Sequence, residues 1–514
     1  MLFPTMTFAT FFLIVLPVSW KLRPEPTRWK YFVLAASYVF YAAWDWRFCG
    51  LLALSTVGNQ AAAMGVHRSS SDRTRRRVLI AGVAFNLGLL GFFKYYGFFV
   101  ESLVALLRPV GLAPTSLLVK ITLPVGISFF TFCGLSYLID VYRRVLRPAP
   151  FLDVAVYLSF FPHLVAGPIV RGSEFLPQLR RRPNPDAVDA TRGARLIMRG
   201  LFKKVVIANF LAQAIADPVF GSPGSYRAWD LLIAAYAYSV QIYADFSGYT
   251  DMAIGIALLL GIKFPDNFDR PYVARSLQEF WRRWHMTLSR WLRDYLYIPL
   301  GGNRGGRWAA YRNLLVTMIL GGLWHGASWT FVVWGTFHGV GLVAERWSND
   351  LRTTPRSERS PRVERLRSQL GLETSHGEVA DLSDGPGQLA TVVDDLVPAR
   401  RRLLSNPWVA RVVVFHVVTF GWIFFRAATL SDAWLFISRL FTAWGSSGLV
   451  TPLVLAAIVA TLAAQFVPSR LGDLIEWRVS YLPPAVQAIG VGLFFLLCNV
   501  LGPQGVAPFI YFQF

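Results

Sequence analysis

A histidine stands inside one of the long apolar stretches of this 514-residue chain. It is His325, in GGLWHGASW (Gly321–Trp329), and no charged residue occurs between Arg312 and Glu345. A neutral imidazole held away from water can serve as a general base, a proton relay or a nucleophile. The same ring can instead bond a carbonyl and a hydroxyl and simply lock a turn, as buried polar groups require. The residues alone leave both readings open. Asp245 and Asp251, in YADFSGYTDMAIG, are six positions apart, and at about 100° per residue they do not share a helix face. They are expected to make packing hydrogen bonds with Tyr243, Ser247 and Tyr249, a proton path being the sharper alternative. GGNRGG (Gly301–Gly306) has the glycines of a phosphate cradle but lacks the Lys-Ser/Thr of a P-loop and any preceding strand, so it predicts a tight turn. Cys49, Cys133 and Cys498 fall singly in apolar segments, and no His-Glu-x-x-His spacing occurs, so neither a disulfide framework nor a metal site is expected. His163, His338 and His416 are read as structural, and His67 and His376 lie in polar segments.

The elements that must hold these groups are set by composition. The chain is 54% hydrophobic, 15% aromatic and 16% charged, too apolar for an ordinary soluble protein. Apolar runs such as Phe3–Trp20, Tyr31–Trp46, Val78–Phe99, Ile121–Ile139, Leu231–Leu260, Leu453–Phe466 and Ala488–Leu501 are continuous rather than alternating, which favours helices over barrel strands. The expected fold is all-α: a polytopic transmembrane helical bundle of about 11 spans with added re-entrant or short helices and amphipathic interfacial helices. The first run lacks a basic leader and is expected to remain as an anchor. The net charge of +21 is gathered in segments: Lys21–Lys30, up to Arg77, Arg143–Arg147, Arg171–Lys204, Arg270–Arg312 and Arg346–Arg411. That is a positive-inside pattern, not a nucleic-acid surface. It places the chain in the cell inner (cytoplasmic) membrane with the N-terminus outside and the basic loops in the cytoplasm.

The stretch around His325 is flanked by basic residues on both sides, so it should leave and re-enter the cytoplasmic face. It is short for two full crossings of about 20 residues each. Leu314–Leu342 is therefore predicted to be a pair of short helices or a re-entrant hairpin, turning near Gly321, Gly322 and Gly326, with His325 at the inner end of a pocket. Upstream, Arg275–Tyr297 carries Leu277, Phe280, Trp281, Trp284, Leu288, Trp291, Leu292 and Tyr295 at helical spacing. It predicts one amphipathic helix in the cytoplasmic interface. Its arginines would meet lipid phosphates, or, in the functional reading, Arg282, Arg283 and Arg290 would supply donor-pocket cations for an anionic cofactor. Residues 1–347 and 403–514 read as one membrane domain. The Ser-, Arg-, Glu- and Pro-rich segment 348–402 reads as a disordered cytoplasmic insertion.

Four stretches taken together resemble the membrane-bound O-acyltransferase family, in particular its bacterial branch that serves alginate O-acetylation and teichoic acid D-alanylation. They are FFPHLVAGPIVRGSEFLPQL (Phe160–Leu179), YADFSGYTDMAIG (Tyr243–Gly255), FWRRWHMTLSRWLRDYLYIPLGGNRGG (Phe280–Gly306) and LGGLWHGASWTFVVWGTFHG (Leu320–Gly339). The likeness continues through FHVVTFGWIFFRA (Phe415–Ala427) and the closing PFIYFQF. It implies a catalytic role for His325 and, from the family's upstream polar partner, a place near the reaction centre for His285. It also implies an acyl thioester donor such as acetyl-CoA, no bound cofactor or metal, and an acceptor hydroxyl on an extracytoplasmic polysaccharide or on a partner protein that carries the acyl group. Rival readings are D-alanyl or other acyl transfer to a cell-wall polymer, a proton-coupled polysaccharide transporter and a non-catalytic scaffold.

Overall fold

The computed structural model describes all residues except 112–118, 120, 182–183, 185–187, 354–405, 447 and 502–514. Helices dominate the described residues, with no strand among them. Four helices are long and apolar enough to cross a membrane: Phe48–Arg68, Asp72–Val110, Ala190–Gly221 and Pro407–Arg426; shorter apolar ones include Met6–Leu22 and Ile127–Tyr142. The predicted insertion 348–402 lies outside the described residues from position 354 onward. Its first part, up to Thr353, instead continues a helix that begins at Trp329. The closing PFIYFQF also lies outside them.

At the centre stands a single helix, Ala228–Leu259, whose 32 residues are buried for most of its length. Besides Asp230 in its first turn, two carboxylates lie further along it, and burial of a charge requires a partner. Asp251 takes Arg199 Nη2 at 2.6 Å and Lys203 Nζ at 2.8 Å, while Asp245 pairs with Lys204. The expected packing bonds to Tyr243 and Tyr249 are therefore not the main partners of these aspartates. The cations come from the helix Ala190–Leu201 and the π-helical turn Phe202–Ala208. The end of the basic segment Arg171–Lys204 is thus drawn into the bundle as helix, because two buried carboxylates need its charge.

His325 ends the helix Gly306–His325, and the chain returns through Trp329–Thr353. The hairpin matches the expectation in kind but not in length: both helices run on into the polar flanks, giving 20 and 25 residues. The break falls at Gly326, not at Gly321 or Gly322. Gly322 lies within the helix, where an added Cβ would stand 2.3 Å from the Phe331 carbonyl oxygen, and one at Gly335 would stand 2.4 Å from that of Met318. The two backbones touch there, as small residues permit in membrane helix pairs. GGNRGG forms the predicted turn, with Gly301, Gly302, Gly305 and Gly306 all at positive φ.

Arg275–Tyr297 is not one helix. It folds as Leu277–Arg283, then Met286–Leu292, then a π-helical turn Arg293–Tyr297. Between the first two, His285 adopts a left-handed backbone with φ of 44°.

Candidate active site

The break at His285 is held by a residue that carried no signal in the sequence. Asn267 Oδ1 accepts from the Thr287 backbone N–H at 3.1 Å and from the Thr287 hydroxyl at 2.8 Å. The Met286 N–H donates to the Asn267 carbonyl at 2.9 Å. The first turn of Met286–Leu292 is therefore capped by Asn267, which offsets the strain of a non-glycine residue at positive φ. His285 Nδ1 lies 3.1 Å from the same Oδ1. Because a backbone N–H points at that atom it is an oxygen, so Nδ1 of the histidine must be the donor. The neutral ring then carries its lone pair on Nε2, which is buried and has no hydrogen-bond partner among the described residues.

His285 and His325 are brought together, with ring centroids 6.4 Å apart and planes at 59°. His285 is fully buried, edge-on to Phe246 at 4.7 Å. His325 is boxed by Trp324, Trp334 and Phe425, at 5.0, 5.2 and 5.3 Å between centroids. A cavity of about 880 Å³ reaches His325. Leu314, Thr317, Met318, Gly321 and His325 all line it. These positions share one face of the His325 helix, so the cavity runs beside that helix for roughly 16 Å at 1.5 Å per residue. Trp334 and Leu342 of the returning helix face it, and Met286, Leu288 and Leu292 close the other side. The end away from His325 is polar, with Arg282, Arg290, Arg293 and Arg346 against Asp266 and Glu345.

Of the three arginines singled out from sequence, Arg282 and Arg290 line the cavity. Arg283 does not: it is held by Asp269 and Glu279, both at 2.9 Å. Arg282 and Arg283 are neighbours in the helix Leu277–Arg283, so their side chains leave it about 100° apart and only one can face the cavity. Arg293 and Arg346 line the cavity without having been singled out. Asp294 fixes this rim by accepting from Arg293 at 2.6 Å and Arg171 at 2.8 Å. Burial alone would raise its pKa, but those arginines outweigh it and hold the carboxyl below its ordinary value.

The far side of His325 was also missed by the sequence reading. Lys94 Nζ, from the π-helical turn Gly91–Tyr95, donates to the carbonyls of Trp324 and His325, and the Tyr95 hydroxyl donates to that of Leu323 at 2.9 Å. The remaining histidines have other duties. His163 Nε2 meets the Tyr157 carbonyl at 3.0 Å, and His416 bridges the Val412 carbonyl and the Tyr236 hydroxyl at 2.7 and 2.8 Å. His338 is buried against Trp281 and Trp334.

The arrangement offers an imidazole at the inner end of an elongated cavity, a second imidazole behind it and a basic mouth. Comparison with known proteins gives it a context. The profile of the membrane-bound O-acyltransferase family matches residues 111–364, the stretch that contains both histidines. A probable alginate O-acetylase, AlgI, of Azotobacter vinelandii is 39% identical over 95% of this chain and 96% of its own length. A peptidoglycan O-acetyltransferase of Helicobacter pylori is 41% identical over 62% of this chain and 64% of its own. A teichoic acid D-alanyltransferase of Streptococcus thermophilus is 31% identical over 44% and 58%. Identity sustained through nearly the whole of both chains, together with helices fit for lipid, shows that this chain belongs to the membrane-bound O-acyltransferase family and is a membrane O-acyltransferase.

Proposed function

We propose that the chain moves an acyl group, acetyl by its likeness to the alginate and peptidoglycan enzymes, from a cytoplasmic thioester such as acetyl-CoA to a hydroxyl outside the membrane. The observation that carries this reading is His325 at the inner end of a cavity whose other end bears Arg282, Arg290, Arg293 and Arg346. Guanidinium groups suit the phosphates of an anionic donor, and the long apolar walls suit an extended thioester arm. By the positive-inside rule the basic mouth faces the cytoplasm of the inner membrane and the N-terminus lies outside. The acceptor then approaches His325 from the opposite face.

Neutral His325 accepts the acceptor's hydroxyl proton as the oxygen attacks the thioester carbonyl. Collapse of the tetrahedral intermediate expels the thiolate, which takes the proton back from the imidazolium. The neutral His285 tautomer described above presents a lone pair rather than a donor at Nε2, so it fits orientation of the reacting groups better than oxyanion stabilisation. Transfer onward to a long polysaccharide is assigned to an extracytoplasmic partner that carries the acyl group or modifies the polymer.

The test is His325→Gln beside His325→Ala, in purified protein supplied with labelled acetyl-CoA. General-base loss is expected to lower turnover by about 10²–10⁴-fold in both, with His325→Gln still folded and still binding donor. A merely structural imidazole would instead leave buried partners unsatisfied at about 1–3 kcal/mol. Activity would then persist in His325→Gln and fall together with stability in His325→Ala, which refutes the reading.

A further inference from the structure

The helix that carries His325 ends without the usual means of closing a helix. Its last four carbonyls have no intrahelical partner, and a glycine in the left-handed conformation commonly turns the chain back to satisfy some of them. Here Gly326 is extended, with φ of −158° and ψ of 148°. The carbonyls must be satisfied from outside, and the last three of them are. Tyr95 Oη–H reaches the Leu323 carbonyl at 2.9 Å, while the ammonium of Lys94 reaches the Trp324 carbonyl, the His325 carbonyl at 3.3 Å and Ser128 Oγ at 3.2 Å. An ammonium has three N–H groups, and all three are engaged. Among the described residues no carboxylate pairs with Lys94, so its charge is directed at the negative end of the His325 helix.

Both side chains come from Gly91–Tyr95, a π-helical turn inside the long helix Asp72–Val110. Neighbouring residues thereby grip three successive carbonyls. An insertion of this kind disturbs the ladder of an otherwise regular helix and tends to be kept where a site needs it. Resting on the reading of His325 as the general base, we propose that Lys94 and Tyr95 are positioning residues for the reaction: they fix the depth and rotation of the His325 helix end, and with it the imidazole, relative to the bound thioester. Neither residue lines the cavity. Their loss should therefore act on the reacting geometry and not on donor binding.

The experiment measures kcat and donor KM for acetyl-CoA consumption by the full chain in lipid nanodiscs, for Lys94→Met, Lys94→Arg, Lys94→Ala, Tyr95→Phe and His325→Gln. Misplacement of a reacting group by about 1 Å can cost ~10²-fold in rate. Lys94→Met is expected to lower kcat by that order with donor KM unchanged, Tyr95→Phe by less, and Lys94→Arg to recover part of the loss. Added ethylamine should restore turnover in Lys94→Ala, where it can fill the vacated ammonium position. A folded Lys94→Met with wild-type kcat, beside an inactive His325→Gln, overturns the positioning role while leaving the general base in place. An active His325→Gln overturns the underlying reading instead. Should Lys94→Met not fold, Lys94→Arg and Tyr95→Phe decide: wild-type kcat in both refutes the proposal, and loss of kcat at constant KM supports it.

Discussion

Asn267 is where a single atom controls the most of this site. Replacing it with alanine removes Oδ1, which accepts from Thr287 N–H, the Thr287 hydroxyl and His285 Nδ1–H. All three donors belong to buried residues. The hydroxyl can rotate, but the backbone N–H and the imidazole N–H cannot leave, so two donors are stranded at about 1–3 kcal/mol each, or about 2–6 kcal/mol together. The tautomer of His285 is also released, because nothing then obliges Nδ1 to carry the proton. Asn267→Ala should therefore melt well below the parent in detergent and turn over acetyl-CoA more slowly even at temperatures where it is folded. Asn267→Asp keeps an acceptor for every donor and removes the Asn267 Nδ2 group, which has no partner among the described residues. It should recover the hydrogen bonds and part of the rate, while the buried carboxylate keeps the melting temperature below the parent's. Thermal unfolding followed in purified protein, with turnover measured alongside, checks both. An Asn267→Ala variant with parental melting temperature and parental kcat would refute the account of the His285 turn.

Two further outcomes follow from how charges are placed. Arg282→Gln should raise the acetyl-CoA KM roughly tenfold with little change in kcat, the worth of one charge-assisted hydrogen bond, and added salt should shrink the effect. Arg283→Gln, whose parent side chain is held by Asp269 and Glu279, should leave KM unchanged; the reverse ranking in steady-state kinetics would refute the cavity assignment. Lys204→Met should destabilise by about 3–5 kcal/mol by removing the cation paired with buried Asp245, and Asp245→Asn added to it should restore much of that loss. Activity surviving in the double variant would exclude an obligatory proton path through this pair.

The hairpin and its histidine were legible in the sequence because each left a local mark. A charge-free run bounded by basic segments fixes where the chain must return, and a glycine in that run marks the bend. What stayed hidden were partners supplied from a distance. Asn267 lies 18 positions before His285, and Lys94 lies 231 before His325, so neither periodicity nor spacing connects them. The kink at His285 was hidden for a different reason. Leu277, Phe280, Trp281, Trp284, Leu288, Trp291 and Leu292 keep a spacing of three and four straight across the break, so a helical pattern persists where the helix does not. A one-residue excursion to positive φ changes the direction of the chain without disturbing the order of apolar residues. Arg283 was misplaced for a separate reason: it is next to Arg282 in one helix, about 100° round from it, so the two do not share a face.

That error shows which physical criterion sorts the cations of a basic membrane protein. Sequence position placed Lys203, Lys204, Arg282 and Arg283 alike in cytoplasmic basic segments. Pairing separates them. Lys203 and Lys204 are turned inward and matched to Asp251 and Asp245, which a low-dielectric interior demands. Arg283 is matched at the surface to two carboxylates, a contact of small energetic weight that nonetheless fixes its direction. Arg282 lines the cavity, and no carboxylate pairs with it among the described residues. A cation left unmatched beside a cavity is one whose counter-charge can arrive with a ligand. Arg346 meets the same criterion, bonding only the neutral Tyr297 and Asn303, whereas Arg290 and Arg293 are paired with Glu174 and Asp294. That makes Arg282 and Arg346, more than the other arginines around them, the groups through which an anionic donor is expected to be felt.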